Sequence, residues 1–279
     1  MRGLAEYAMH GRRQAIIVIL LSGFLSGFLS VLYFISAATV GLVTLRKGGY
    51  EGMIVLLWAL LPAILLWRMG DISPLFLLPG AMGLSLLLRR TESWQLVIVL
   101  ATVAGLLTQF SLNWQPEYLG QFETLATEIV NAQQSQNAQG QYTVEQLLNL
   151  LKQFYGAYHA FALVLCVILA RWLQAALYNP GGFRQEFHSL HFDTRTMLVV
   201  LGLVIFSLLG LPPVNNWLAV LVVPPMFGGI ALMHGVVGIR KLGAQWLVLG
   251  YMVLLMMSPA VIAMGFFDSV FDFRKRIRE

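Results

Sequence analysis

The stretch FYGAYHAFALVLCVILARWLQAAL, residues 154–177, contains a single charged residue, Arg171. An α-helix rises about 1.5 Å per residue, so roughly 20 apolar residues cross the hydrocarbon core of a bilayer, which is about 30 Å thick. Because the stretch is both long enough and nearly free of charge, we expect it to cross a membrane as one helix.

The composition of the whole chain indicates the same environment. Charged residues make up 11% and hydrophobic residues 58% of the chain, whereas soluble domains have roughly 25% charged residues. The net charge of +5 comes from basic residues that stand in short clusters between apolar runs, as in multi-span membrane proteins. We therefore expect the lipid bilayer as a partner, and no nucleic acid.

The apolar runs predict an all-α fold, a polytopic transmembrane bundle of about seven to nine spans within a single domain, 1–279. Several runs are short or broken by proline, which indicates kinks or an internal cavity. The runs are 15–45, 52–67, 74–88, 94–112, 154–177, 196–211, 214–237 and 244–267.

Basic residues between the runs predict the orientation. Arg12 with Arg13 and Arg46 with Lys47 mark cytoplasmic ends by the positive-inside rule, which places the N-terminus in the cytoplasm. The run 15–45 must then cross twice as two short helices, or enter the membrane and return.

The end of the chain raises a similar question. A straight span over 244–267 would place the basic tail, 268–279, on the opposite side from Arg240. Either the last run bends at Ser258 and Pro259 and returns, or the positive-inside rule fails once. We expect the bend and a cytoplasmic C-terminus.

The segment 113–152 has four glutamates and one lysine, which predicts an outer insertion. Apolar residues at helical spacing indicate an amphipathic helix in its first half. Thr143 and Gln146 form a capping-box pattern, and the helix that begins there is predicted to continue to about Leu177. The insertion is either a lid or a solvated connector.

The decapeptide LSGFLSGFLS, residues 21–30, places small residues four apart on one helix face. Such a face lets another helix approach closely, either within this chain or from a second membrane protein. The candidate docking residues are Ser22, Gly23, Ser26, Gly27 and Ser30.

The polar stretch YNPGGFRQEFHSLHFDTR, 178–195, brings together four residues of metal-binding types, namely Glu186, His188, His191 and Asp193. Imidazole and carboxylate groups suit a divalent metal. In a strand, however, these side chains would divide between the two faces. In a helix His188 and His191 would be neighbours, but HxxH without a second pair is a weak signal, so we predict no metal. The alternative is a segment that lies in the headgroup layer.

Two histidines, His159 and His234, lie inside predicted spans, where an ionisable residue is a functional candidate because its burial in lipid is costly. Each is a candidate substrate ligand or a structural donor to a backbone carbonyl. Asn215, Asn216 and Trp217 follow two prolines at an outer end and form either a tight turn or the mouth of a binding pocket.

The chain ends in GFFDSVFDFRKRIRE, 265–279, in which phenylalanines precede a basic cluster. Aromatic residues favour the membrane interface, and basic residues favour anionic headgroups. The residues predicted to contact headgroups, here and in the 178–195 loop, are Arg184, Arg195, Arg274, Lys275, Arg276 and Arg278.

The chain lacks the phosphate loop GxxxxGK[ST], the dinucleotide motif GxGxxG, and the catalytic motifs HExxH and GxSxG. We therefore expect neither a cofactor nor enzymatic activity.

The tail GFFDSVFDFRKR, the helix end ARWLQAAL with its polar loop, and the short proline-broken spans resemble the YybS-like family of uncharacterised bacterial membrane proteins. The resemblance implies a distant similarity to the S components of energy-coupling-factor transporters, which are substrate-binding bundles of the bacterial inner membrane. It also implies that the small residues of 21–30 dock on a coupling subunit.

From these features we predict a membrane protein that binds a small solute or a lipid, as a transport-related subunit. Two alternatives stay open. One is a scaffold or assembly factor that contacts other membrane subunits, and the other is a membrane enzyme centred on the 184–195 loop.

Overall fold

The computed structural model describes residues 1–135 and 142–278, without the side chains of 134, 135 and 278. The regular structure in these ranges is helical, and they contain no β-strand. The helices are α1 (Arg2–His10), α2 (Arg12–Leu25), α3 (Tyr33–Lys47), α4 (Gly49–Arg68), α5 (Ser73–Thr91), α6 (Trp94–Ser111), α7 (Pro116–Ser135), α8 (Val144–Tyr178), α9 (Gly182–Ser189), α10 (Thr194–Leu208), α11 (Leu218–Leu221), α12 (Val223–Ile239), α13 (Gln245–Met256), α14 (Ser258–Phe271) and α15 (Phe273–Arg278).

Five helical segments are long and apolar enough to cross a membrane, or up to seven if each bent helix pair counts as one span. The helix α5, which covers the predicted run 74–88, is not among them, because its serines, glycines and terminal arginines lower its mean hydropathy. The protein is therefore an all-helical membrane protein. The predicted count of seven to nine spans is not confirmed, since the described residues give five to seven candidates.

The long helix α8 lies at the centre of the fold. It has 35 residues, or about 52 Å, and begins with the predicted capping box of Thr143 and Gln146. One of its faces packs into a core with α5, α6, α12 and α14, while Cys166 belongs to a second core with α2 to α5. The predicted continuous helix from 144 to about 177 is confirmed.

The first apolar run forms two short helices, one of the two arrangements expected from the sequence. The helix α2 has 14 residues, or about 21 Å, and α3 returns after a break at residues 26–32. A salt bridge of 2.6 Å joins Arg12, at the start of α2, to Glu51 in the first turn of α4. Arg12 therefore lies at the same end of the bundle as Arg46.

Several other arginines lie at this end. Arg89 donates a hydrogen bond to the carbonyl of Leu45, at the end of α3, and a polar cleft brings Arg89 together with Arg171 and Glu186. We call this the basic end of the bundle. The opposite end carries α7 and the predicted insertion, of which residues 136–141 lie outside the described ranges.

The last apolar run bends by 110° between α13 and α14, at the predicted position before Ser258 and Pro259. The bend lets α14 cross α12 with backbone against backbone, since a Cβ atom at Gly265 would overlap the carbonyl oxygen of Pro225, and one at Gly229 would overlap that of Val261. Only glycine permits this approach.

The bend brings the tail back to the basic end. The guanidinium of Arg274 lies beside Gly235 on α12, and its Nη1 is 2.9 Å from Oδ2 of Asp268. Arg274 is only 5% exposed, so an internal ion pair takes the place of the predicted headgroup contact. Burial is tolerated because the opposite charge and the Phe273 amide, 3.2 Å from Oδ1 of Asp268, compensate for lost hydration.

The crossing of α12 and α14 leads to a first prediction. Gly265→Ala places a methyl group on the Pro225 carbonyl, so the two helices must separate, and we expect a loss of about 1–3 kcal/mol of stability. The measurement is thermal unfolding of the purified protein in detergent.

The control is Gly202→Ala on α10, where a Cβ atom meets nothing within 4 Å. This change should be neutral or stabilise by up to about 1 kcal/mol. Equal effects of the two substitutions would show that the crossing is not close-packed.

Candidate functional site

The helix α9 is held against the bundle by a polar contact at the basic end. The guanidinium of Arg171 on α8 donates to both carboxylate oxygens of Glu186, with Nε 3.0 Å from Oε2. The indole N–H of Trp94 donates to the same oxygen at 3.3 Å. Gly181 precedes α9 with φ of +87°, a conformation that glycine adopts without steric cost. The chain can therefore reverse from α8 into α9.

A cavity of about 660 Å³ lies between α8, α9, α12 and α13. Its volume falls within the roughly 300–1,000 Å³ typical of small-molecule sites. The body of the cavity is apolar, lined by Phe161, Leu165, Ile168, Phe227, Ile230 and Leu254. We call it the α8–α13 cavity.

Polar side chains lie at one end of the α8–α13 cavity. The Nε2 of His234 and the hydroxyl of Tyr251 share a hydrogen bond of 2.9 Å, and the ring of His188 lies 6.0 Å from that of His234. Arg2 and Arg184 complete this end. The arrangement provides hydrogen-bonding and positively charged groups next to an apolar volume.

The four candidate metal ligands of the 184–195 loop point to different partners. Glu186 binds Arg171, His188 faces the α8–α13 cavity, and the ring Nε2 of His191 donates to the carbonyl of Asp268 at 3.1 Å. In the described ranges, no three such side chains converge on one point. The loop therefore connects α9 and α10 to the tail, and its four candidate side chains do not converge on one site.

Asp193, the fourth of these residues, caps α10. Its Oδ1 accepts from the Thr196 amide at 2.8 Å, and its Oδ2 accepts from the Thr196 hydroxyl at 2.7 Å. These two bonds and a further one from Gln95 stabilise the charged form and lower the pKa of Asp193 to about 2. Its role is that of an N-cap.

The two intramembrane histidines lie in different environments. His159 is fully buried, with Nδ1 2.9 Å from the carbonyl of Tyr155, one turn earlier. Its ring is packed edge-on against Tyr155, Tyr158 and Phe76, and it does not line the α8–α13 cavity. His234 lies at the α8–α13 cavity, whereas His159 donates to a backbone carbonyl, as in the structural alternative.

A second cavity, of about 540 Å³, lies at the insertion end, and Asn216, Trp217 and Lys152 contribute to its lining. The carbonyl of Asn216 accepts from Nε2 of Gln109 at 2.7 Å. Asn215 is exposed and is not among the lining residues. Of the three residues predicted to form a pocket mouth, Asn216 and Trp217 therefore line a cavity and Asn215 does not.

The small residues of 21–30 divide into two groups. Ser22 bonds to Ser36 on α3 at 2.7 Å between the hydroxyl oxygens, Gly23 packs against Pro62 on α4, and Ser26 is buried. Gly27 and Ser30 are exposed at the tip between α2 and α3. Contacts within the chain thus account for the first three, and only the last two are free for docking.

Among the predicted headgroup contacts, Arg184, Arg195, Lys275 and Arg276 are exposed, and the side chain of Arg278 lies outside the described residues. Other cavity residues, above all Arg2 and Tyr251, were not identified from the sequence. They come from helices far apart in the chain and carry no local motif, so no sequence pattern could have grouped them with His234.

The bond between His234 and Tyr251 leads to a second prediction. The helix α13 buries no residue, and among the described side chains this is its one hydrogen bond to the rest of the bundle. Tyr251→Phe removes a bond worth about 0.5–1.5 kcal/mol. We therefore expect amide hydrogen exchange in 245–256 to quicken up to about tenfold.

The control is Tyr7→Phe, since Tyr7 is an exposed tyrosine on α1 with no hydrogen bond among the described residues. It should leave the exchange of 245–256 unchanged. Identical exchange in Tyr251→Phe and the unmodified protein would show that the bond does not hold α13 in place.

No protein family model, no curated protein and no solved structure matches the chain. The likeness to the YybS-like family therefore rests on the sequence features alone. The function has to be argued from the α8–α13 cavity.

Proposed function

We propose that this chain binds a small amphiphilic molecule, a solute or a lipid, in the α8–α13 cavity and acts as a transport-related subunit of a membrane. The observation that carries the proposal is the division of the cavity into an apolar body and a polar end. Apolar walls with a few directed polar groups are typical of small-molecule sites.

The cavity opens on the outer surface of the bundle, where a bilayer would lie. Leu165 and Trp172 on α8 and Tyr251 on α13 line it and are 37%, 42% and 42% exposed. A ligand with an apolar part can reach such an opening directly from the lipid. This location favours an amphiphile over a purely polar solute.

The positive-inside rule supports a cytoplasmic location of the basic end. Both Arg12, near the N-terminus, and Arg274, near the C-terminus, lie there, so both termini would be cytoplasmic. The polar end of the cavity, next to α9, would then lie at the inner leaflet. A bacterial inner membrane is the setting implied by the YybS-like resemblance.

A transport role requires a partner that accepts or supplies the ligand. The tip between α2 and α3 is the part of the predicted docking segment that remains accessible, and its Phe28 is 92% exposed. This exposure supports a contact with another membrane subunit at the insertion end. The enzyme alternative has less support, because the loop residues on which it depends point in different directions.

The experiment that tests this proposal fills the α8–α13 cavity with a larger side chain at its exposed edge. Leu165→Trp adds a large ring to the apolar body where the side chain is already partly exposed, so the fold should tolerate it. We expect the unmodified protein to carry a bound amphiphile in native mass spectra after extraction from membranes, and Leu165→Trp to lose at least about nine-tenths of it.

The control is Leu198→Trp on α10, which is 56% exposed and away from the cavity. It should retain the ligand. The proposal fails if the unmodified protein carries no amphiphile, or if both variants carry the same amount as the unmodified protein.

A further inference from the structure

The charged groups at the polar end of the α8–α13 cavity are of one sign. Arg2 and Arg184 carry positively charged guanidinium groups. The other ionisable side chains there are His188, His234 and Tyr251, and the lining residues include no aspartate or glutamate. A ligand at this end therefore meets a positive potential.

Among the described residues, no carboxylate forms an ion pair with either arginine, although Glu6 lies one turn from Arg2 on α1. Glu186 lies on the same helix as Arg184 but binds Arg171 and Trp94, while Asp193 caps α10. Within the described ranges, neither Arg2 nor Arg184 has a carboxylate at ion-pair distance. Both guanidinium groups thus remain available for an external anion.

The backbone adds to the positive potential. Pro180 and Gly181 line the cavity, and α9, of eight residues, begins immediately after them at Gly182. The N-terminal end of a helix carries a partial positive charge and free N–H groups, which favour anions. This contribution reinforces the two arginines and would not define a site without them.

The apolar body shows that a free anion is not the whole ligand. Phe161, Ile168, Phe227 and Ile230 offer no hydrogen bonds, so inorganic phosphate would leave this volume unfilled. Burial of an acyl or similar chain there contributes about 25 cal/mol for each Å² of apolar surface removed from water. Cationic headgroups are disfavoured by both arginines.

We propose, on the basis of the proposed function, that the α8–α13 cavity binds an amphiphile with an anionic phosphate or carboxylate headgroup, held by Arg184 and Arg2, with its apolar chain between α8 and α12. Planar guanidinium groups bind both kinds of oxyanion through paired hydrogen bonds. The headgroup lies at the basic end, and the chain extends towards the bilayer centre.

The test uses four probes on the full chain, purified and delipidated in a neutral detergent. They are oleate, oleoyl lysophosphatidate, oleoyl lysophosphatidylcholine and inorganic phosphate. We expect one of the first two, or both, to bind at least about tenfold more tightly than the zwitterionic lipid, with no binding of phosphate alone, as measured by native mass spectrometry and thermal stability.

Variants then locate the headgroup. Arg184→Ala and Arg2→Ala should each weaken binding of the anionic probe about ten- to a hundredfold, because each loses charge-assisted hydrogen bonds, and Arg184→Lys should restore part of the affinity. The matched control, Arg90→Ala, removes an exposed arginine outside the cavity and should bind as the unmodified protein does.

The outcomes separate this inference from the proposed function. Equal binding of the zwitterionic and anionic lipids, or unchanged binding in Arg184→Ala and Arg2→Ala, overturns the headgroup class while the cavity remains a binding site. Binding of phosphate alone as tight as that of the amphiphiles overturns the role of the chain. If none of the three lipids binds, the proposed function fails as well.

Discussion

The crossing of α12 and α14 at Gly229 and Gly265 constrains the C-terminal third of the molecule. Because neither position has a side chain, the two backbones meet directly, and α14 occupies a face of α12 that a larger residue would close. The last apolar run must then bend by 110° to bring α14 into place. The bend returns the tail to the basic end, where Arg274 and Asp268 pair out of contact with solvent.

The same geometry leaves room for the α8–α13 cavity. Because α14 packs on α12, the preceding helix α13 makes only peripheral contacts with the bundle, and none of its side chains is buried. The space between α13 and α8 is closed at the basic end by α9, which Arg171 and Glu186 hold in position. Because this pair is half-buried, it adds little to the stability of the fold. Its main contribution is to fix the position of α9, and with it the position of Arg184 on that helix.

The two intramembrane histidines show how a single sequence signal can have two structural outcomes. His159 lies on the inward face of α8, where aromatic rings surround it and a backbone carbonyl accepts a hydrogen bond from its ring. His234 lies on the side of α12 that α14 leaves uncovered, so its ring faces the cavity and contacts Tyr251 across the gap. Both residues are costly in lipid, but only the packing of neighbouring helices decides which of them can meet a ligand.

The sequence by itself determined the helical membrane character and the capping box at Thr143. It also predicted the two short helices of 15–45 and the bend before Ser258, each as one of two alternatives. Each of these follows from local properties: apolar length, charge clusters and the lack of an N–H group in proline. Only the tertiary structure decided that Arg274 is buried, that Ser22 and Gly23 pack within the chain, and that Arg2, Arg184, His234 and Tyr251 share one cavity. These outcomes depend on contacts between segments up to about 250 residues apart. The free energy of such contacts comes from shape complementarity and burial, which produce no periodic pattern in the sequence.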